Sequence, residues 1–355
     1  MTDELLGKTV GGKFRIESVL GEGGFCIVYK AVQLNMNRTV AIKVLRDELR
    51  DDVASKRLER EARSISELSH PNLVSIYDTG VLETGQPYNV LEFIEGQTLS
   101  SLIDWEGALP AARALPIFIQ VCDVLQYAHE QGVINRDLSP MNIMLIEAAG
   151  TNDFVKLVDF GVIKFDEERR ALSQKLTATG EICGNPMYMS PEQTMGAQTD
   201  YRTDIYSFGV VMYETLTGLP LFSGTTLVEI FSHHLHTKAP KPSRVFGGVP
   251  AVLDNIVLKA LEKDREKRHQ SFTELKSELL KALKALETDA HNLPALYAGE
   301  MPERNAIDRG INGQESKAEA HKEKRVWVTL SVIISLVLVV VALMVISKFT
   351  NLTPS

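Results

Sequence analysis

One lysine stands inside an otherwise apolar, β-branched run, and it constrains the fold more than any other residue. The stretch Arg38–Leu45, RTVAIKVL, predicts a strand, and Lys43 is the single charge in its interior. An ammonium there must meet an anion or snorkel out to water. The following stretch, DVASKRLEREARSISELS (Asp52–Ser69), predicts a helix with Leu58, Ala62, Ile65 and Leu68 on one face. Glu61, at the interior edge of that face, can supply one carboxylate, and the phosphates of a nucleotide could supply further charge. Taken alone, the pattern fits an ordinary surface Lys–Glu pair equally well.

The neighbouring residues extend the pattern. In LGEGGFCIVYKA (Leu20–Ala31), Gly21, Gly23 and Gly24 lie between two predicted strands, where missing side chains let backbone N–H groups approach a polyphosphate. A tight hairpin explains the same glycines. The turn leads into a strand rather than a helix, so it is not a dinucleotide fingerprint, and no G-x-x-x-x-G-K-[ST] loop occurs. NLVSIYDTGVL and PYNVLEFI read as two more strands. Helices then dominate, over Ala111–Gln131, Tyr201–Thr217, Leu227–His236 and Val252–Glu262. A small sheet-rich lobe followed by a larger helical one is an α+β arrangement.

Two further segments carry chemistry. In GVINRDLSPMNIM (Gly132–Met144), Asp137 and Asn142 are five residues apart across Pro140, which can aim a carboxylate at a hydroxyl and an amide oxygen at a metal. In KLVDFGV, Asp159 leaves an apolar strand just before a Phe-Gly turn and is placed to hold Mg²⁺ against phosphates.

With these four segments in order, the chain resembles the bacterial eukaryotic-like serine/threonine protein kinases from about Phe14 to Leu280. SPE (Ser190–Glu192), the helix TDIYSFGVVMYETLTGLPLF with Asp204, and DREKRHQSF with Arg268 opposite Glu192 extend the match. The resemblance implies a bilobal fold and transfer of the ATP γ-phosphoryl group to protein hydroxyls, with Mg²⁺. It assigns Lys43, held by Glu61, to the α- and β-phosphates, Asp137 to the substrate hydroxyl, and Asn142 and Asp159 to the metal. Gly21, Glu22, Gly23 and Gly24 would cover the phosphates. Leu20, Val28 and Ala41 would roof the base, Glu92 and Ile94 would offer it backbone groups, and Leu91 would be the gatekeeper. Arg136 would receive a phosphorylated Thr177 or Thr179 after autophosphorylation between associating copies.

Several positions depart from the family pattern. Asn135 replaces a structural His, which predicts a cost in stability. Ser139 replaces a Lys that clamps the γ-phosphate; loss of one transition-state donor costs on the order of 10²–10³ in rate. Asn185 replaces a Thr that bridges to the catalytic Asp, Cys26 the third loop glycine, and Ile163 a small residue. The charged and metal-binding set is intact, which favours an active kinase over a nucleotide-binding pseudokinase scaffold. A small-molecule kinase fits the SPE segment less well. HHLH (His233, His234, His236) reads as a solvated helix end rather than a metal site, EKDREKRHQ as solvated surface apart from Arg268, and His70 and His129 as structural.

The formal net charge is −8, which argues against nucleic-acid binding. Three scattered cysteines, Cys26, Cys122 and Cys183, show neither metal spacing nor a disulfide framework and fit a reducing compartment. The acidic, polar N-terminus does not read as a secretory signal. Val326–Ile346 carries no charge and is long enough to span a bilayer core of about 30 Å. The basic run HKEKR before it predicts a single-pass anchor in the cell membrane with the kinase unit cytoplasmic. The organisation expected is therefore a kinase domain over 14–285, a flexible linker over 286–325, the membrane helix over 326–346 and a short tail over 347–355.

Overall fold

A computed structural model describes residues 5–24, 26–47, 58, 67–148, 150–159 and 185–296. The chain divides into two compact units, Met1–Thr288 and Asp289–Ser355. The second contributes only the end of one helix to the described residues.

The first unit opens with antiparallel strands β1 (Thr9–Val10), β2 (Phe14–Glu22), β3 (Cys26–Gln33), β4 (Arg38–Leu45), β5 (Ile76–Val81) and β6 (Pro87–Glu92). They form one sheet in the order β1-β2-β3-β4-β6-β5. Period-2 patterning sets its faces. Phe14, Ile16, Tyr29, Ala31, Val40, Ile42, Val44 and Val90 pack as one buried cluster. Register places Val28 opposite Lys43 and Gly21, Lys43 opposite Asn89, and Ala41 opposite Leu91, so these residues share the other face. Cys26 lies opposite Leu45 and packs with it and Leu58. Most of the helix expected over Asp52–Ser69, Glu61 included, lies outside the described residues.

A second sheet, β7 (Gln97–Thr98), β8 (Ile143–Ala148) and β9 (Thr151–Leu157), introduces the larger lobe. Its helices are α1 (Leu99–Glu106), α2 (Ala111–Glu130), α3 (Pro191–Thr194), α4 (Arg202–Thr217), α5 (Leu227–His236), α6 (Pro242–Val245), α7 (Val252–Ala260) and α8 (Phe272–Leu296). In α4 only Arg202 and Glu214 escape burial, and its polar side chains are satisfied locally, for example Ser207 on the Thr203 carbonyl and Thr215 on that of Val211. Gly209 makes this possible, since a Cβ there would come within 3.0 Å of the Ala260 Cβ on α7. At the end of α4, Gly218 adopts φ 69° and its N–H donates to the Glu214 carbonyl, a left-handed cap. The large-lobe core, built on Phe118, Val121, Leu125, Phe208, Val211, Leu253 and Phe272, is separate from the small-lobe cluster. The α+β bilobal expectation is met.

Three expectations need correction. Helix α8 runs ten residues past Leu286 into the stretch read as a linker, because a polar composition without apolar periodicity does not by itself stop a helix that is already nucleated. His234 is not at a solvated helix end: it is fully buried, with Nδ1 3.0 Å from the Tyr206 hydroxyl. EKDREKRHQ is not simply solvated either. His269 is buried, and the Lys263 ammonium donates to the Tyr206 hydroxyl at 3.1 Å and lies 4.8 Å from the Phe222 ring centroid. Tyr206 on α4 and Phe222 after it enclose His234 and Lys263, while His269 meets Glu278 on α8, and a local reading of either segment does not contain these partners.

Burial, reinforced by the positive charge of Lys263, lowers His234 from its ordinary 6.5 to about 4. Between those values the unfolded chain binds a proton that the folded chain refuses. The stability contributed by the neutral ring is therefore complete above pH 6.5 and is lost as pH falls towards 4. Over that window the loss should be roughly 3 kcal/mol. Burial shifts His70 and His269 the same way. Urea unfolding at several pH values should show His234→Gln flattening this acid slope; an unchanged slope would contradict the assignment.

Candidate active site

The catalytic-loop candidate is held from beneath by one carboxylate. Asp204, fully buried in the first turn of α4, accepts the Asn135 N–H at 2.8 Å and the Arg136 N–H at 2.7 Å. His129 Nε2, at the end of α2, lies 2.8 Å from the same group. Arg136 adopts φ 63°, a left-handed conformation unusual for a side chain of its size. Its carbonyl accepts from Gln193 Nε2 at 2.9 Å, so both sides of that residue are fixed. The loop is thereby held in a backbone shape that its own sequence does not favour.

Asn135 organises the two acidic candidates above it. The side chain is fully buried; Nδ2 donates to the Asp159 carbonyl at 2.9 Å, and Oδ1 accepts the Asp137 N–H at 3.1 Å. One amide therefore ties the backbones of Asp137 and Asp159 together. After extended Ser139 the chain makes a 3-10 turn over Pro140–Asn142, with the proline at its first position. Asn142 Nδ2 donates to the Asp137 carbonyl at 2.8 Å, which turns its amide oxygen away from that contact. The Asn142 carbonyl accepts the Val158 N–H at 3.0 Å, bringing it beside the exit of β9.

Lys43 crosses to this group from the small lobe. Its ammonium lies 3.0 Å from Asp159 Oδ1, and both side chains are largely shielded, at 15% and 30% exposure. Above it, Gly21 and Glu22 end β2, and Gly23 donates its N–H to the Cys26 carbonyl at 2.9 Å. A Cβ on Gly21 or Gly24 would meet no heavy atom within 4 Å, so the backbone of this turn is openly approachable. Val28, Ala41 and Leu91 line the same sheet face as Lys43, while Leu20 falls at the register shift between Val19 and Gly21 and is half exposed.

Residues 14–280 match the family model described as protein kinase domain. This chain belongs to the protein kinase domain family. The Myxococcus xanthus serine/threonine-protein kinase pkn3 is 39% identical over 281 residues, covering 78% of this chain and 51% of that protein. The Mycobacterium tuberculosis serine/threonine-protein kinase PknB is 38% identical over 273 residues, covering 76% of this chain and 42% of that protein. The chain thus spans about half or less of the length of these relatives. A crystal structure of the M. tuberculosis PknI kinase domain covers 78% of this chain and 97% of its own, with a TM-score of 0.61 at 24% identity, a likeness of fold.

Within the kinase fold, the donor set suits the metal such domains use. Asp159 and Asn142 present a carboxylate and an amide oxygen, hard ligands appropriate to Mg²⁺. The described residues bring together Lys43, Asp137, Asn142, Asp159, the glycine turn and the β4–β6 face; Glu61, Phe160, Gly161, Thr177, Thr179 and Cys183 lie outside them. Asn185, which replaces the family's bridging Thr, caps the turn Pro186–Tyr188, its Oδ1 accepting the Met187 N–H at 3.2 Å. Glu192 and Arg268 pair as anticipated, with two contacts of 2.8 Å. Burial raises the Glu192 carboxyl, but the guanidinium outweighs it and leaves a net lowering. Two features escaped the sequence reading. His129 reaches Asp204 although 75 residues separate them, and Lys156 pairs with Glu92 across the lobes.

Asn135 supplies the test of this geometry. Asn135→Leu, similar in volume but unable to bond, removes one bond to the Asp159 carbonyl and one from the Asp137 N–H and should cost about 1–3 kcal/mol in urea unfolding. A change within about 0.5 kcal/mol, the size ordinary for substitutions away from such contacts, would show that the two bonds contribute nothing.

Proposed function

We propose that this chain is a protein serine/threonine kinase that uses ATP and Mg²⁺ and is tethered to the cell membrane by residues 326–346, with its catalytic unit in the cytoplasm. The convergence of Lys43, Asp137, Asn142 and Asp159 on one cleft between the lobes carries the reading. Membership of the protein kinase domain family and the names of the curated relatives support it.

In this mechanism the Asp137 carboxylate orients the acceptor hydroxyl and takes its proton as the oxygen attacks the γ-phosphorus, while the bond from that phosphorus to the β,γ-bridging oxygen breaks and ADP leaves. Lys43, released from Asp159, engages the α- and β-phosphates. Asn142 and Asp159 hold Mg²⁺, which supplies charge neutralisation at the phosphates when bound. The turn Gly21–Gly24 covers the phosphates, Leu20, Val28 and Ala41 enclose the base, and the backbone at Glu92 and Ile94 receives it. Ser139 is buried and brings no cation, so transfer is slower than in a kinase with Lys at that position. Thr177 or Thr179, autophosphorylated between associating copies, would pair with Arg136.

The tether rests on the charge-free run and the basic residues before it. Among the described residues no helix is long and apolar enough to cross a membrane.

The full chain in detergent, given Mg²⁺ and γ-labelled ATP, should label serine or threonine residues on itself or on an added protein. Asp137→Ala should lower the transfer rate by about 10²–10⁴ while ATP binding persists. Binding without transfer by the parent chain would instead favour a membrane-anchored nucleotide-binding scaffold.

A further inference from the structure

Among the described residues, two ion pairs join the small-lobe sheet to the last residues of β9 and its exit. Lys43–Asp159 is one. In the other, the Lys156 ammonium lies 2.9 Å from each carboxylate oxygen of Glu92, the two side chains being 13% and 24% exposed. Glu92 is the last residue of β6, where the chain leaves the small-lobe sheet. Its carboxylate also accepts the Ser75 N–H at 3.2 Å, and its own N–H donates to the Ser75 carbonyl at 2.8 Å.

The stretch Asn72–Ser75 is bonded in turn to β9. The Leu157 N–H donates to the Asn72 carbonyl at 2.8 Å and the Val74 N–H to the Leu157 carbonyl at 3.0 Å, while Lys156 Nζ reaches the Leu73 carbonyl at 3.4 Å. Val155 and Leu157, on either side of Lys156, are fully buried in the large-lobe core and anchor the strand. β9 therefore grips Glu92 directly through its side chain and, by way of the Asn72–Ser75 stretch, indirectly through its backbone.

We propose that Lys156 is a positioning residue for the nucleotide. By holding the Glu92 carboxylate it fixes the backbone of Glu92–Ile94, the segment that receives the base. This rests on the kinase reading of the cleft. Without Lys156 the carboxylate keeps one N–H donor and turns towards water, and the 92–94 backbone gains freedom that nucleotide binding must remove. Affinity for ATP and ADP should fall together. The chemical step should not, because β9 stays anchored by Val155 and Leu157 and the Asn135 amide still holds Asp137 and Asp159.

The test compares the full chain with Lys156→Met and Lys156→Arg, reading ADP affinity without Mg²⁺ by calorimetry, then KM for ATP and kcat. Lys156→Met should weaken ADP binding and raise KM about fivefold, the effect of one partly shielded ion pair. Its kcat should stay within about twofold, and Lys156→Arg should resemble the parent. Lys156→Gln carries the same comparison if the methionine variant does not fold. Equal ADP affinity in parent and variant would overturn the proposal, as would a lower kcat with KM unmoved. Failure of the parent chain to bind nucleotide at all would overturn the kinase reading and this proposal with it.

Discussion

A single buried carboxylate governs the arrangement. Asp204 sits on a helix that is enclosed almost all round, and the backbone N–H groups of Asn135 and Arg136 and the ring of His129 converge on it. Burying an ion is costly unless its oxygens are satisfied, and here the loop itself supplies the donors. The carboxylate in return pays for the left-handed turn at Arg136. Because the helix is the centre of the large-lobe core, the catalytic-loop backbone inherits the rigidity of that core.

From this base the site is assembled in short steps. Asn135, held through its backbone, uses its side chain to tie Asp137 to Asp159. Asn142 closes onto the Asp137 carbonyl. Lys43 comes from the opposite lobe on a strand whose register is fixed on both sides by β3 and β6. The buried Glu192–Arg268 pair, with Thr203 also bonded to Glu192, holds the segment after Asn185 against α4. The chemistry-bearing groups are thus carried by two rigid bodies. Their meeting across the cleft is set by the Lys43–Asp159 and Lys156–Glu92 ion pairs together with the backbone bonds of Asn72–Ser75, an arrangement that suits the proposed phosphoryl transfer, where positioning and charge matter most.

Much of this was legible because the physical signals were local. Apolar alternation gave β2, the β-branched run gave β4, and the helices from Ala111, Leu227 and Val252 began where the patterning placed them. Lys43 announced itself as a charge in an apolar strand, and it does meet an anion, Asp159. Asn135 could be read as a replacement that still bonds backbone, and it does so. What stayed hidden was set by contacts remote in sequence. Nothing near Lys156 indicates Glu92, since alternation along β9 says only that Lys156 faces away from the core. His234 looked like one of three histidines at a helix end until Tyr206 and Phe222 were brought against it. Asn185 was read as a departure from the family's bridging Thr, and the local cap that its short side chain makes on the following turn was not anticipated.

Amide hydrogen exchange on Asp204→Asn tests the central claim most directly. An asparagine must present an N–H₂ to at least one of the donors that now meet a carboxylate. At least one of the N–H groups of Asn135 and Arg136, which use different carboxylate oxygens, should lose about tenfold in protection, corresponding to about 1.4 kcal/mol, while the α4 amides from Val210 to Leu216 keep theirs. Undiminished protection at Asn135 and Arg136 would mean that the loop keeps its shape without the Asp204 carboxylate, contrary to this account.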